Sequence, residues 1–232
     1  MSLINPIESV PSRSKSRKCS VVQLGVFLSA MLLVATTSGC TLLANVMYVM
    51  GADQIPPEYE GLDESKVAIV TASDSSNYSD DAAARQLSRM IGDILLKQVD
   101  DLSLVREDQI EQWRDTNGWD STDFISIGRG VKADKVLAIE LTNLRLREGA
   151  TLYRGRADAT VSVIDVASGD VQYRKSIEEF TYPISAGQST SETTEKRFRR
   201  LYLGMLSKQV ARSFHSWDMT EDFANDGIIA SQ

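Results

Sequence analysis

An uncharged apolar segment near the amino terminus constrains how the rest of this chain can fold. Residues 21–35 carry no charged side chain, and residues 37–39 after them are small. The residues before the segment include four basic side chains, Arg13, Lys15, Arg17 and Lys18. This order of basic, apolar and small residues is typical of a secretory signal peptide. It predicts that residues 1–39 direct export and that the folded part begins after them.

A cysteine follows the small residues directly. Ser38-Gly39-Cys40 resembles the lipobox of bacterial lipoproteins, in which signal peptidase cuts before a cysteine that is diacylated on its sulfur. The resemblance implies cleavage between Gly39 and Cys40, and attachment to a membrane through acyl groups such as palmitate on Cys40. The family prefers leucine three places before the cysteine, where this chain has Thr37. Two acyl chains hold a protein firmly on a bilayer, whereas one gives marginal binding.

Two alternatives to lipidation remain open. Apolar residues resume at 42–50, so residues 21–50 can instead hold an uncleaved membrane helix of about 20 residues. The other alternative is complete cleavage and release. In every case the positive flank stays in the cytoplasm, which places the rest of the chain on the periplasmic side. We predict anchorage to a membrane there. The outer membrane is favoured by analogy, because Thr41 stands where an aspartate retains some lipoproteins at the inner membrane.

The composition excludes several classes of function. Residues 40–232 carry 21 basic and 31 acidic side chains, a net charge of −10. An acidic body opposes binding to nucleic acid, because affinity for phosphates needs a clustered positive surface. One histidine and two cysteines are too few for an ordinary zinc site. We therefore predict no nucleic-acid partner, no metal and no cofactor.

The chain after Cys40 divides into a linker, one domain and a tail. Residues 40–65 are predicted to be a lipidated linker, because Pro56-Pro57 favours extended chain. Its apolar side chains able to dock on the domain are Ile55, Tyr59 and Leu62. Residues 66–217 are predicted to form one α/β domain. Residues 218–232 mix acidic and apolar side chains and are predicted to be loosely ordered.

Hydrophobic periodicity predicts a βαβαβββα order within the domain. The predicted strands are 66–73, 102–106, 135–141, 156–163 and 171–177, and the predicted helices are 80–99, 107–116 and 192–216, with a helical turn at 120–127. A change of phase near Thr142-Asn143 indicates a bulge, and Gly169 supplies a positive φ in a tight turn. Residues 185–191 are predicted to be a mobile loop. The expected architecture is a small mixed sheet with helices packed on it, preceded by a signal helix.

Three segments of the domain carry a family resemblance. They are Val67-Ala-Ile-Val70, Ala133-Asp-Lys-Val-Leu-Ala-Ile139 and Val163-Ile-Asp-Val-Ala-Ser-Gly-Asp-Val171. Together they resemble the curli-secretion lipoproteins, the lipoprotein activators of penicillin-binding proteins, and the amino-terminal domain of the Tol translocation protein. The resemblance implies an α/β sandwich used for binding and assembly rather than for chemistry. It does not select among those roles, because a fold alone does not fix a function.

The side chains that could carry chemistry are few. His215 lies near Trp217 at a predicted helix end, which favours packing or helix-terminus electrostatics over catalysis. No Gly-x-Ser-x-Gly motif or second histidine accompanies it. The pairs Asp80-Asp81 and Asp100-Asp101 are typical of solvated helix ends, so we predict no catalytic residue. The densest basic cluster after Cys40 is either the wet face of a helix or a contact for anionic lipid or a partner; it contains Lys196, Arg197, Arg199 and Arg200.

These patterns predict a non-catalytic envelope lipoprotein whose domain is a binding or assembly adaptor. Its expected partners are the membrane, through the lipid on Cys40, and an envelope protein. The main alternative is an exported, metal-independent enzyme acting on envelope polymers, and two convergent carboxylates in an acidic pocket would favour it. A small-ligand-binding domain is the third hypothesis.

Overall fold

The computed structural model describes residues 54–74, 78–118 and 123–218. The strands of this part are β1 (Gln54–Ile55), β2 (Lys66–Ser73), β3 (Ser103–Leu104), β4 (Lys135–Glu148), β5 (Leu152–Asp165), β6 (Val171–Tyr182), β7 (Gln188–Ser189) and β8 (Trp217–Asp218). The helices are α1 (Tyr78–Gln98), α2 (Glu107–Asn117), α3 (Phe124–Gly130) and α4 (Glu195–Ala211).

Six strands form one mixed sheet, whereas the sequence predicts five. The strand order is β3-β2-β4-β5-β6, and β7 pairs with the start of β5. β2 runs parallel to both β3 and β4, whereas the pairs of β4 with β5 and β5 with β6 are antiparallel. β2 and residues 135–141 of β4 are mostly apolar and buried, which suits strands that are covered on both faces. The mixed α/β fold with helices packed on the sheet is confirmed.

The helices cover the two faces of the sheet unequally. α1 and α4 pack side by side on one face, and the predicted apolar stripes of both helices are buried there. Their buried side chains include Leu87, Ile91, Leu95, Phe198, Tyr202 and Val210. The shorter helices α2 and α3 cover part of the other face, over a second cluster that includes Val70, Ile110, Ile127, Val136 and Ile164.

The long hairpins extend beyond their predicted ends. β4 was expected to end at residue 141 but continues to Glu148, and β5 begins at Leu152 instead of residue 156. The register shifts after Thr142, where Asn143 has a φ of 55°, so the predicted bulge is confirmed. The bulge moves the later residues to the other face of the sheet. The alternation of apolar and polar residues is therefore interrupted in the sequence, and it does not show that the strand continues.

Several other element bounds differ from the predictions. The predicted mobile loop at 185–191 contains β7, which pairs with Leu152 and Tyr153. The predicted strand 102–106 shortens to the two residues of β3. α4 is predicted at 192–216 but spans Glu195–Ala211. It begins at Glu195 because the Thr194 side chain accepts a hydrogen bond from the Arg197 N–H and so caps the helix.

Part of the predicted linker packs on the domain. Tyr59 contacts the rings of Tyr173 and Phe214, and Leu62 is only 1% exposed. β1 pairs with β8. Gln54 of the predicted linker therefore lies opposite Asp218, which is the first residue of the predicted tail. Residues 40–53 and 219–232 lie outside the described residues.

One carboxylate joins the bulges on both sides of β5. Asp158 accepts hydrogen bonds of 2.7 Å from the backbone N–H of Glu179 and from the side chain of Asn143. Glu179 and Asn143 both have positive φ angles, 46° and 55°. The hydrogen bond from Glu179, followed by that from Asn143, holds the pKa of Asp158 below its ordinary value of 3.8. The carboxylate therefore stabilises two strained backbone positions at once.

We expect Asp158→Ala to lower the free energy of unfolding by about 1–2 kcal/mol at neutral pH, because two hydrogen bonds to a charged group are lost. Because the pKa of Asp158 is lower in the folded chain than in the unfolded chain, the ionised carboxylate stabilises the fold at pH values above the unfolded pKa. This contribution is lost as the pH falls through the folded pKa. The difference in unfolding free energy between the unchanged chain and Asp158→Ala, measured by urea unfolding, should therefore shrink on acidification. Glu178→Ala, which removes an exposed carboxylate on β6, is the control. A difference that does not change with pH would contradict the assignment.

Candidate functional site

The predicted basic residues lie in the first turns of α4, and the structure separates them by environment. Lys196, Arg197 and Arg200 are exposed. Arg199 instead donates a 2.8 Å hydrogen bond to Glu195, which also forms an ion pair of 3.1 Å with Arg147 on β4. The cluster therefore presents three cations to solvent and uses the fourth within the fold.

The hairpin of β4 and β5 adds a second set of cations beside these residues. Tyr153 of the hairpin stacks on Phe198 of α4, with 5.4 Å between ring centroids. We call this surface the basic end; it comprises Arg145, Arg147, Arg154, Arg156, Lys196, Arg197, Arg199 and Arg200, with Glu148 and Glu195 as its paired acids. Ile184, whose carbonyl accepts a hydrogen bond from Arg154, is 73% exposed at this end. The sequence identified only the helical half, because the predicted strands stopped short of the hairpin.

A groove runs along the outer edge of β2, because β3 is short and leaves most of that edge unpaired. β3 pairs only with Lys66 and Val67. The carbonyls of Ser65 and Val67 accept hydrogen bonds from β3 and the residue after it. Because backbone groups of a strand alternate in direction, the N–H and C=O groups of Ile69 also point to this edge, as do those of Thr71. Among the described residues no strand continues β3 alongside them.

Two helices form the walls of this groove, which we call the edge groove. α1 lies on one face of the sheet and α2 on the other, and the space between them is about 750 Å³. Leu96 of α1, which is 52% exposed, lies at its rim. Gly92 keeps the floor open, since a Cβ there would lie 3.0 Å from Leu104 Cδ1 and 3.5 Å from Ile69 Cδ1. The groove thus combines an apolar floor with outward-facing backbone groups.

Two ion pairs connect the walls of the edge groove. Arg89 of α1 contacts both carboxylate oxygens of Glu107 on α2, at 2.8–3.1 Å. Arg85 lies 3.9 Å from Glu111. All four side chains are at least 31% exposed, and exposed pairs of this kind contribute roughly 0–1 kcal/mol each. Breaking these ion pairs therefore costs little, while the buried apolar side chains hold both helices on the sheet. Each of the two glutamates faces an arginine across the groove.

The titratable groups with shifted pKa values serve the fold. Hydrogen bonds lower the pKa of four carboxylates outside the edge groove: Glu58, Asp123, Asp158 and Asp165. Burial raises the pKa of Tyr173 to about 12, and burial also raises the pKa of Tyr202. The Tyr202 hydroxyl donates a 2.9 Å hydrogen bond to the Phe180 carbonyl. Each lowered carboxyl pKa favours an ionised group that is held by nearby donors.

The remaining predicted sites divide between described and undescribed residues. His215 is described, and its Nδ1 lies 2.7 Å from the Ser216 carbonyl. Gly39 and Cys40 lie outside the described residues, so the cleavage site and the lipid stay predictions. In the described part of the chain, no helix has the length and apolar character needed to cross a bilayer. No group of three or more metal-ligating side chains is found in that same part.

No protein-family model matches this chain, and no curated protein sequence matches it. The solved structures that are similar to it include three bacterial proteins. Lipoprotein GNA1162 from Neisseria meningitidis is 12% identical over 63% of this chain and 98% of that chain, with a TM-score of 0.43. The PelC dodecamer from Paraburkholderia phytofirmans is 13% identical over 70% and 95%, with a TM-score of 0.38. A minor lipoprotein from Acinetobacter baumannii is 15% identical over 63% and 89%, with a TM-score of 0.31. No residue of this chain takes a role from these similarities, and the resemblance to the curli-secretion, penicillin-binding-protein activator and Tol families stays a prediction.

Proposed function

We propose that this chain is an exported, lipid-anchored envelope protein whose α/β domain is a non-catalytic adaptor for a protein partner. The observation that carries the proposal is the edge groove, where the outer edge of β2 lies between two helices. Three features support the adaptor role: an apolar floor, outward-facing backbone groups, and exposed ion pairs between the walls. The predicted lipid on Cys40 would fix the domain beside a membrane.

The partner would contribute an extended segment that adds to the sheet next to β2. In strand addition, backbone hydrogen bonds provide affinity and side-chain pockets provide specificity. Here the backbone of Ile69 and Thr71 would pair with the segment, and an apolar side chain of the segment would cover Leu96. Charged side chains of the segment could replace either partner of the Arg89–Glu107 pair. The 13 residues between Cys40 and Gln54 limit the reach of the domain to roughly 45–50 Å from the lipid.

A photo-crosslinking amino acid at position 96, introduced into the full chain in living cells, tests this proposal. We expect one discrete crosslinked adduct, because the side chain at position 96 lies at the rim of the groove. The same amino acid at position 171 is the matched control, since Val171 is about equally exposed, at 51%, and lies on β6 away from the groove. Adducts should be resolved by gel mobility and identified by mass spectrometry.

Blocking the groove provides the second arm of the test. Gly92→Met places a flexible side chain over Ile69 and Leu104, so the adduct at position 96 should disappear while thermal unfolding still shows a folded domain. An adduct that persists in the folded Gly92→Met chain, or one of equal yield at position 171, would overturn the groove as the partner site.

A further inference from the structure

We propose that a second cationic surface, at the carboxyl-terminal ends of α1 and α4, binds anionic phospholipid head groups. Its side chains line a shallow groove of about 630 Å³, which we call the tether groove: Ile94, Lys97, Gln98, Lys208, Arg212, His215 and Trp217. The sequence predicted packing or helix-terminus electrostatics for His215 near Trp217. It did not indicate a binding site, because the lysines and the arginine that join them come from two helices about a hundred residues apart.

The charge of the tether groove is positive and concentrated. Lys97 lies in the last turn of α1, Lys208 in the last turn of α4, and Arg212 directly follows α4. None of the described side chains that line the groove is acidic. Each helix carboxyl terminus contributes roughly half a negative charge, so Lys97 and Lys208 alone carry more positive charge than the two helix ends neutralise. Lys97 and Lys208 are exposed and form no ion pair among the described residues.

An indole forms one wall of the tether groove. The guanidinium carbon of Arg212 lies 4.3 Å from the centre of the Trp217 ring, a cation–π contact. Trp217 is partly exposed. Tryptophan is enriched at the level of lipid head groups, because its ring is apolar and its N–H is polar. Lysine and arginine next to it are attracted to the negative head groups of the same surface.

The chain leading to Cys40 leaves the domain beside this groove. Ile55 pairs with Trp217 and Gln54 pairs with Asp218, so Gln54 is held against the groove wall. The basic end lies at the other end of α4, roughly 25 Å away for a helix of 17 residues. The tether groove is therefore the cationic surface next to the point from which the chain runs to the proposed lipid. Bilayer contact there would orient the domain as well as hold it.

Quenching of Trp217 fluorescence in vesicles tests this inference, which rests on the proposed function for the membrane attachment. The full chain is reconstituted into phosphatidylcholine vesicles with or without phosphatidylglycerol, and a quencher is placed on a fraction of the head groups. The difference between the chain and its Trp217→Phe variant isolates Trp217. We expect stronger quenching when phosphatidylglycerol is present. We also expect the double variant Lys97→Glu/Lys208→Glu to need on the order of tenfold more phosphatidylglycerol for the same quenching.

The matched control reverses two charges at the basic end, Lys196→Glu and Arg200→Glu, and should leave the quenching of Trp217 unchanged. Equal quenching in phosphatidylcholine alone would overturn the inference, as would a double variant at the tether groove that behaves like the unchanged chain. Flotation of the vesicles separates the two proposals. A chain that does not float with the vesicles contradicts the anchorage, whereas a chain that floats without quenching contradicts only the tether groove.

Discussion

Replacing Cys40 with serine is expected to abolish the incorporation of labelled palmitate into this chain. The resemblance to the lipobox places the acyl groups on the Cys40 sulfur, and a serine hydroxyl does not offer the thiol to which they would be attached. The measurement is metabolic labelling in cells followed by gel fluorography of the purified chain. The expected effect is complete loss of label, because Cys40 would be the first residue of the mature protein and its only cysteine.

Cys19→Ser is the matched control, since Cys19 is the other cysteine of the chain and lies in the predicted signal peptide. It should keep the label at the level of the unchanged chain. Label that remains in Cys40→Ser would contradict lipidation at this position. An unlabelled but membrane-bound parent chain would favour the uncleaved helix at 21–50, and an unlabelled chain in the soluble fraction would favour release.

Local patterns in the sequence predicted those parts of the fold that local physics determines. β2 has the predicted bounds of 66–73, because a short apolar run rich in β-branched residues between polar residues favours a buried strand. The stripe of α1 is buried because residues at spacings of three and four share one face of a helix. The positive φ of Gly169, 82°, is found where the tight turn was predicted.

Features that depend on distant residues could not be predicted in the same way. The continuation of β4 past its bulge depends on pairing of Arg145 with Arg156, and the sequence between the two strands does not specify that register. The edge groove exists because β3 pairs with only two residues of β2. Where a strand stops pairing is decided by the packing of α1 and α2 around it, and no short motif records that packing.

The two cationic surfaces show the same division. Lys196–Arg200 were found because they are adjacent in sequence, whereas the arginines of the hairpin were missed. The tether groove was missed as a site because Lys97 and Lys208 meet only when α1 and α4 pack side by side. Charge clusters assembled from different elements therefore need the fold before they can be recognised, even when each contributing residue is conspicuous in the sequence.

The close packing of β5 against α4 predicts a large loss of stability from the addition of a single methyl group. A Cβ built on Gly155 would overlap the Cδ2 and Cε2 atoms of Tyr202. The Tyr202 ring cannot retreat easily, because it is fully buried and its hydroxyl is hydrogen-bonded to the Phe180 carbonyl. We expect Gly155→Ala to lower the free energy of unfolding by about 3 kcal/mol, the upper part of the range for overpacked cores. Urea unfolding measures the change.

Gly204→Ala is the control for this prediction, because a Cβ at Gly204 has no neighbour within 4 Å. Inside α4 that replacement should stabilise the chain by about 0.5–1 kcal/mol through helix propensity. If the clash with the ring is the cause, Tyr202→Leu should recover part of the loss in the Gly155→Ala background, so the two changes should not be additive. Strict additivity, or equal effects of Gly155→Ala and Gly204→Ala, would show that the contact between β5 and α4 does not limit stability. The expected opposite signs of the two glycine replacements separate a steric cause from a general effect of removing glycine.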